Sequence, residues 1–325
     1  MQGRMPVRPF WTLKGNLYWS SFELLFICRQ KLNPVQTQFH FGTRVLDRRV
    51  PQVMGILNIT ADSFSDGGEL LDDGKPRLDL VLKRAESMIQ AGATILDIGA
   101  ESTRPGAVAV SESVEADRVL VVLEALSSRF DTILSVDTSS PSLMTQAAAL
   151  GAGLINDVRA LTRPGALQAA AASGLPVCLM HMQGQPADMQ ENPVYRQVVD
   201  DIMAYLSARI TTCEKAGLSA QRLILDPGFG FGKTFGNNLE LLDRLENFSV
   251  LKLPLLVGMS RKRMLGTITG KDEQERLAAG IAAAVIAVMK GAWIVRTHDV
   301  APTVDALKVC HALLQRRAEP EKDRG

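Results

Sequence analysis

Between Pro51 and Arg317 the chain repeats one pattern: a short apolar run rich in Val, Ile and Leu, then a longer amphipathic segment. The runs are "QVMGILN", "ATILDIG", "TILSVD", "GLINDV", "PVCLMHM", "RLILD", "PLLVGMS" and "WIVRTHD". Strands this continuously apolar are buried on both faces, as in a parallel sheet covered by helices. The intervening patterns predict helices over 78–91, 114–129, 142–150, 194–216 and 273–290. In "AGATI", "LGAGLI" and "KGAWI" a glycine follows the helix and an apolar strand follows the glycine, the usual stop signal of a helix that feeds a strand.

Eight strands and eight following helices fit one closed α/β (β/α)8 barrel, a TIM barrel, of about 250 residues. A doubly wound open sheet is the alternative. It loses support because no G-x-G-x-x-G follows the first run. "FHFGTRVLDRRVPQ" reads as a short hairpin around Gly42-Thr43 that closes the bottom of the barrel. The expected organisation is a poorly ordered N-terminal extension over 1–37, the barrel over 38–317 and a charged tail over 318–325.

In the extension, Arg4, Arg8 and Lys14 precede an apolar stretch, "LYWSSFELLFIC". Glu23 breaks that stretch, and Phe26 and Ile27 stand where a signal peptidase would need small residues. Nothing there reaches the length of a membrane span. The segment reads as an extension, or as a start placed too far upstream, rather than as a targeting signal.

A hydrophobic fraction of 46% with 22% charged residues supports a sizeable core. The net charge of +1 gives no electrostatic reason to expect nucleic acid or a membrane as partner. Aromatics, at 5%, are too sparse for a platform that stacks single-stranded bases. Cys28, Cys178, Cys213 and Cys310 are scattered with no C-x-x-C, which suggests reduced thiols in the cytoplasm and neither a disulfide framework nor a zinc site.

The strand ends carry the chemistry. The first run ends at Asn58, the second at Asp97 and the third at Asp137; the fourth carries Asn156, the fifth His181 and the sixth Asp226. Ser260, Arg261 and Lys262 follow the seventh, while Arg296 and His298 close the eighth. Any one of these could be a helix cap or a turn residue. Polar groups at all eight ends exceed what capping needs, and the C-terminal face is where barrel enzymes gather their catalytic groups. His181 stays open between site and core.

Asp137, Asn156 and Asp226 suit the donor edge of a nitrogen heterocycle such as a pterin. Arg104, Arg296 and His298 suit a phosphate or diphosphate. Asn58 offers a hard oxygen to Mg²⁺ otherwise held by water and phosphate. Met180, Met182 and Phe231 could flank a flat ring, although core packing is the commoner use of Met.

One stretch points elsewhere. "LDPGFGFGKTFG", Leu225 to Gly236, resembles a phosphate-binding loop with its Gly-Lys-Thr. That motif needs a glycine five residues before the Gly-Lys pair, and Pro227 occupies the position. Proline has a fixed φ and no N–H for a phosphate. A nucleotide site is not expected there.

Taken together, "VMGILNITADSFSDGG", "GATILDIGAESTRPGA", "SVDTS", "INDVRAL", "LMHMQG", "LDPGFGFGK", "GMSRK" and "RTHDV" resemble, in order, the blocks of the dihydropteroate synthase family. The resemblance covers nearly everything from Phe39 to about Leu314. It implies a folate-pathway transferase, and a sulfonamide target, that joins para-aminobenzoate to a dihydropterin diphosphate. It also implies Mg²⁺ at Asn58 and a homodimer. By matching positions, Asp137, Asn156, Asp226 and Lys262 would hold the pterin, with Arg296 and Phe231 beside it. Phe64 and Asp66 of a first loop, with Ser102, Thr103, Arg104 and Pro105 of a second, would close over the aminobenzoate and diphosphate. The catalytic set so implied is Asp137, Lys262, Arg296, His298 and Asp66.

Three positions depart from the family's commonest pattern: Ala61 for Pro, Ala100 for Gly and Arg263 for Ser. Ala100 requires a negative φ. Arg263 could give the aminobenzoate carboxylate a charge-assisted bond. Two rival functions share the pterin pocket. A corrinoid methyltransferase acting on methyltetrahydrofolate would not need the set of Asn58, Arg104, Arg296 and His298. A catalytically degenerate paralogue would be expected to have lost part of the two loops.

Overall fold

The computed structural model describes residues 37–60, 70–101, 110–186 and 188–318. A hairpin comes first, β1 (Gln38–Phe41) and β2 (Arg44–Asp47), paired antiparallel across the Gly42-Thr43 turn. The barrel strands that follow are β3 (Gln52–Asn58), then, after a small hairpin of β4 (Leu71–Asp72) and β5 (Lys75–Pro76), β6 (Ile95–Gly99), β7 (Ile133–Asp137) and β8 (Leu154–Asp157). The last four are β9 (Val177–Met180), β10 (Leu223–Asp226), β11 (Leu256–Val257) and β12 (Ile294–Thr297). All eight lie in one parallel sheet. A parallel bridge from Leu225 to Leu255 joins its two edges, so the sheet closes. This is the (β/α)8 barrel the strand pattern predicts.

The interior is layered by the alternation of a strand, in which every second side chain faces the same way. Met54, Ile95, Ile133, Leu154, Cys178, Ile224, Leu256 and Ile294, one from each strand, form an apolar lower layer. Phe39, Phe41 and Trp293 seal it from below, with ring centroids 5.0–6.2 Å apart. The hairpin therefore plugs the barrel, and the indole N–H of Trp293 fixes it through the Val50 carbonyl at 3.0 Å. Two residues further along the strands the interior turns polar, with Asp97, Ser135, Asn156, Asp226 and Arg296. The apolar layer excludes water from beneath, so these groups must satisfy one another or a ligand.

The helices are α1 (Leu78–Gln90), α2 (Glu112–Ser127), α3 (Pro141–Ala149), α4 (Ala166–Ser173), α5 (Val198–Lys215), α6 (Phe235–Asp243), α7 (Arg263–Thr269), α8 (Leu277–Met289) and α9 (Val300–Ala318). Two depart from the sequence expectation. The helix expected over 194–216 starts later, because Asp201 Oδ2 accepts the N–H groups of Arg196 and Gln197 and holds them outside the helix. The helix expected over 273–290 begins as a 3-10 turn, Glu273–Glu275, and becomes α-helical after Arg276. The seventh strand is thus followed by two helices, α7 and α8, where a single one was expected.

Candidate active site at the upper mouth of the barrel

The polar layer is organised around Arg296 of β12. Its Nε–H donates to Asp97 Oδ2 at 2.6 Å, and an Nη2–H donates to Asp137 Oδ2 at 3.0 Å. Asp97 also accepts from Ser135 Oγ at 2.6 Å and Asn156 Nδ2 at 3.1 Å. One guanidinium therefore serves two carboxyl groups, and the cluster would hold one negative charge in excess were both ionised. Burial pushes the Asp137 carboxyl up, to about 8, reinforced by the Asp97 charge and opposed by Arg296. Burial also works against the Arg296 cation, but the two carboxylates outweigh it and hold the guanidinium above its usual range. A ligand that brings N–H donors or positive charge would draw Asp137 back to its ionised form.

A second polar group sits across the mouth, where β10 gives way to its loop. Asp226 Oδ1 accepts the Gly228 N–H at 2.7 Å, and Oδ2 has no hydrogen-bond partner among the described residues. Gly228 has φ +73°, and a Cβ there would lie 1.9 Å from the His181 carbonyl oxygen, so only glycine fits. Beyond it, Lys233 is buried and Lys262 reaches in from the end of β11. Lys262 Nζ donates to the Phe229 carbonyl and stands 4.4 Å from the centre of the Phe231 ring. Burial lowers the Lys262 ammonium to about 8, despite the favourable charge of Asp226.

The Gly-Lys-Thr of this loop has a structural explanation. Thr234 is the N-cap of α6, accepting the Asn237 N–H while the Asn237 side chain accepts the Thr234 N–H. Lys233 donates to backbone carbonyls and to His181. His181, left open by the sequence, is one of the supports of this loop. Its ring lies edge-on to Tyr205, and burial with the Lys233 charge pushes it down to about 2, so it is neutral.

Asn58 ends β3 half-buried at the rim, and its side chain has no partner among the described residues. No cluster of three or more His, Cys, Asp or Glu that could hold a metal occurs among the described residues. An amide oxygen at the rim, without a partner among the described residues, fits Mg²⁺ whose other ligands would come from substrate oxygens and water. Ser260 Oγ and His298 Nδ1 are 3.1 Å apart beside it, joining the ends of β11 and β12. Phe64, Asp66, Ser102, Thr103, Arg104 and Pro105, with Ala61, lie outside the described residues. Ala100 is not among the residues with positive φ, which meets the condition set by its Cβ.

The structure therefore brings Asp137, Asn156, Asp226, Phe231, Lys262 and Arg296 to one mouth, with Asn58 and His298 at its rim. Residues 54–298 match the family described as pterin binding enzyme. The chain belongs to the pterin-binding, dihydropteroate synthase family. It is 52% identical to the dihydropteroate synthase of Escherichia coli (strain K12) over 272 residues, 83% of this chain and 94% of that one. A Yersinia pestis dihydropteroate synthase solved with a sulfonamide drug superposes with a TM-score of 0.82 at 51% identity, covering 86% of this chain and all of that one. The Xanthomonas albilineans dihydropteroate synthase solved with 4-aminobenzoic acid gives a TM-score of 0.79 at 44% identity, covering 87% and 99%.

For a pterin-binding enzyme, three groups of the mouth escaped the sequence reading. Asp97 was taken as a strand end, but β6 runs on to Gly99, so Asp97 faces inward opposite Ser135. Its signal was available: it stands two residues after Ile95, as Asn156 stands after Leu154. The second group is the turn after β8. Asp157 accepts the N–H groups of Arg159 and Leu161 at 2.9 and 2.7 Å and holds Ala160 and Leu161 at φ +50° and +59°. That turn presents Arg159 to Glu101 in a two-pronged ion pair with both contacts at 2.9 Å. Nothing in the sequence pairs those two residues. The third is Lys233, whose neighbours are set only by the loop's path.

Proposed function

We propose that the chain acts as a dihydropteroate synthase, condensing 6-hydroxymethyl-7,8-dihydropterin diphosphate with para-aminobenzoate to give 7,8-dihydropteroate and diphosphate in folate biosynthesis. The observation that carries the reading is the acceptor set of Asp137, Asn156 and Asp226 around an apolar-floored mouth that also holds Arg296 and Lys262. The acceptors suit the amino-pyrimidinone edge of the ring, and the cations suit its anionic leaving group.

In the reaction the bond from the pterin methylene to the diphosphate oxygen breaks, and the amine of the aminobenzoate bonds to that carbon and loses a proton. Positive charge grows on the methylene as the diphosphate leaves. Asp137, ionised once the pterin's donors replace water around it, is placed to stabilise that charge. Arg296 and His298 face the departing anion, and Lys262 orients the ring against Phe231. Mg²⁺ held through Asn58 would neutralise charge on the leaving diphosphate. The apolar layer beneath the mouth keeps water from reaching the cationic carbon from below.

A homodimer is part of the reading. The sequence of α8, "LAAGIAAAVIAVM", is apolar on every side, yet Leu277 and Ile286 are exposed. A helix of that kind needs cover on both faces. The three described cysteines are free and buried, in keeping with a reducing cytoplasm. Among the described residues no helix is long and apolar enough to cross a membrane.

The test is formation of dihydropteroate by the purified chain, with and without Mg²⁺. Product that forms only with both substrates and rises with Mg²⁺ supports the reading. Absence of product under all conditions, or methyl transfer from methyltetrahydrofolate, would replace it.

A further inference from the structure

Asp226 and Lys233 grip the same residue from two sides. The Gly228 N–H donates to Asp226 Oδ1 at 2.7 Å, and the Gly228 carbonyl accepts from Lys233 Nζ at 2.8 Å. Lys233 Nζ also donates to the Phe231 carbonyl and to His181 Nδ1, each at 3.0 Å. The His181 carbonyl lies further off at 3.4 Å, so the three short contacts take the three N–H bonds of an ammonium and the fourth is a weak, shared one. His181 is neutral, so its Nδ1 can accept, and its backbone N–H donates to the Asp226 carbonyl at 2.9 Å. Asp226, Gly228, Lys233 and His181 thus close a buried ring of contacts behind the pocket wall.

What needs explaining is the charge. Lys233 is 3% exposed and has no ion pair among the described residues. An uncharged amide could tie the same carbonyls at far smaller desolvation cost. The groups facing Asp226 are Lys233 in its own loop, Lys262 beyond β11 and Arg296 of β12, with Cys178 of β9 and the neutral His181 just after it. Arg296 is hydrogen-bonded to Asp97 and Asp137 and acts on Asp226 least, so Lys262, the Gly228 N–H and Lys233 carry most of what offsets the burial of Asp226.

We propose that Lys233 is a positioning residue of the pterin pocket whose ammonium, fixed behind Gly228, keeps Asp226 ionised while leaving Oδ2 for the ring. Burial raises the Asp226 carboxyl above its ordinary range, and Lys262, the Gly228 N–H and Lys233 oppose that rise in that order. Burial likewise pushes the Lys233 ammonium well down, and the Asp226 charge is what opposes that fall, so each of the two groups supports the charged form of the other. The inference rests on the pterin-binding reading and adds a residue that touches no substrate.

The test is calorimetric titration of the full chain with 6-hydroxymethylpterin from pH 5 to pH 9. In the wild type, affinity falls on the acid side as Asp226 takes up a proton. Lys233→Met should move that fall upward by about one pH unit, the scale set by removal of one nearby charge. Lys233→Arg should leave it in place, and Asp226→Asn should remove it in either background, leaving only the dependence near pH 8 that Asp137 sets. A uniform loss of affinity in Lys233→Met with the acid fall unmoved would reduce Lys233 to a loop tie and overturn the proposal. Wild-type protein that binds no pterin at any pH would overturn the functional reading itself. Should Lys233→Met fail to fold, nitrogen-15 spectra of the wild-type lysines decide: a hydrogen-bonded ammonium for Lys233 at pH 7 supports the proposal, and a neutral amine overturns it.

Discussion

The guanidinium of Arg296 and the carboxylate of Asp97 meet at 2.6 Å in the centre of the barrel mouth, with the Asp97 side chain wholly excluded from solvent. The pair links the first and last thirds of the chain and fixes where the arginine fork points. Arg296→Ala would leave Asp97 buried without its cation, a loss that costs about 3–5 kcal/mol when one partner of a buried pair is removed. The melting temperature should fall accordingly, and turnover should drop at least tenfold. Arg296→Lys, which keeps the charge and loses the fork, should be intermediate. Activity within twofold of wild type in Arg296→Ala would remove this residue from the site.

Asp137 should trade stability for function. Its carboxyl is raised to about 8 in the fold, so the folded state holds a proton that the unfolded chain releases near pH 4. The stabilising effect of that proton is present at low pH and is lost as pH rises through about 8. Asp137→Asn escapes this loss. Its advantage over wild type in the unliganded protein should grow between pH 4 and 8 and then level off. About 1 kcal/mol would raise the melting temperature by about 2–4 °C. Thermal scans across that range check the slope, and the variant should have lost catalysis.

Asp226 separates two roles by its two oxygens. Asp226→Asn can still accept the Gly228 N–H, so the loop should hold while a donor now faces the pterin's donors. Asp226→Ala frees that N–H as well, at about 1–3 kcal/mol for an unpaired buried group. Both should fold and lose at least an order of magnitude in pterin affinity by calorimetry. Unfolding of Asp226→Asn, with undiminished pterin binding in whatever remains folded, would make Asp226 a turn residue.

Arg263 opens α7 next to Lys262, and its side chain is exposed. If its guanidinium meets the aminobenzoate carboxylate, Arg263→Ser exchanges a charge-assisted bond for a neutral one, a difference of about 1 kcal/mol. KM for aminobenzoate should then rise several-fold while pterin affinity stays constant. Steady-state kinetics with each substrate varied in turn will tell, and an unchanged KM for aminobenzoate would exclude the contact.

The exposed face of α8 offers a test of assembly. Ile286 is 44% exposed on a helix with no polar side chain. Ile286→Lys should convert a dimer to monomers in sedimentation experiments without unfolding the barrel. An unaltered sedimentation coefficient would move the interface elsewhere.

Much of this protein is written in local pattern. Strand and helix alternation, with glycines such as Gly92 and Gly151 stopping helices before strands, is enough to specify a parallel sheet covered by helices, and eight such units without a G-x-G-x-x-G favour its closed form over a doubly wound open one. Strand-end chemistry likewise named Asp137, Asn156, Asp226 and Arg296, since each stands at or beside the end of its apolar run. What the sequence could not contain is register. Whether Asp97 caps a strand or faces inward depends on how far β6 extends and which residue of β7 lies opposite, a property of the closed sheet. The same holds for Arg159 with Glu101 and for Lys233 with His181, which are 58 and 52 residues apart. Contacts across such separations form only once the barrel has closed, and the charges they set follow from burial that no local stretch of sequence can express.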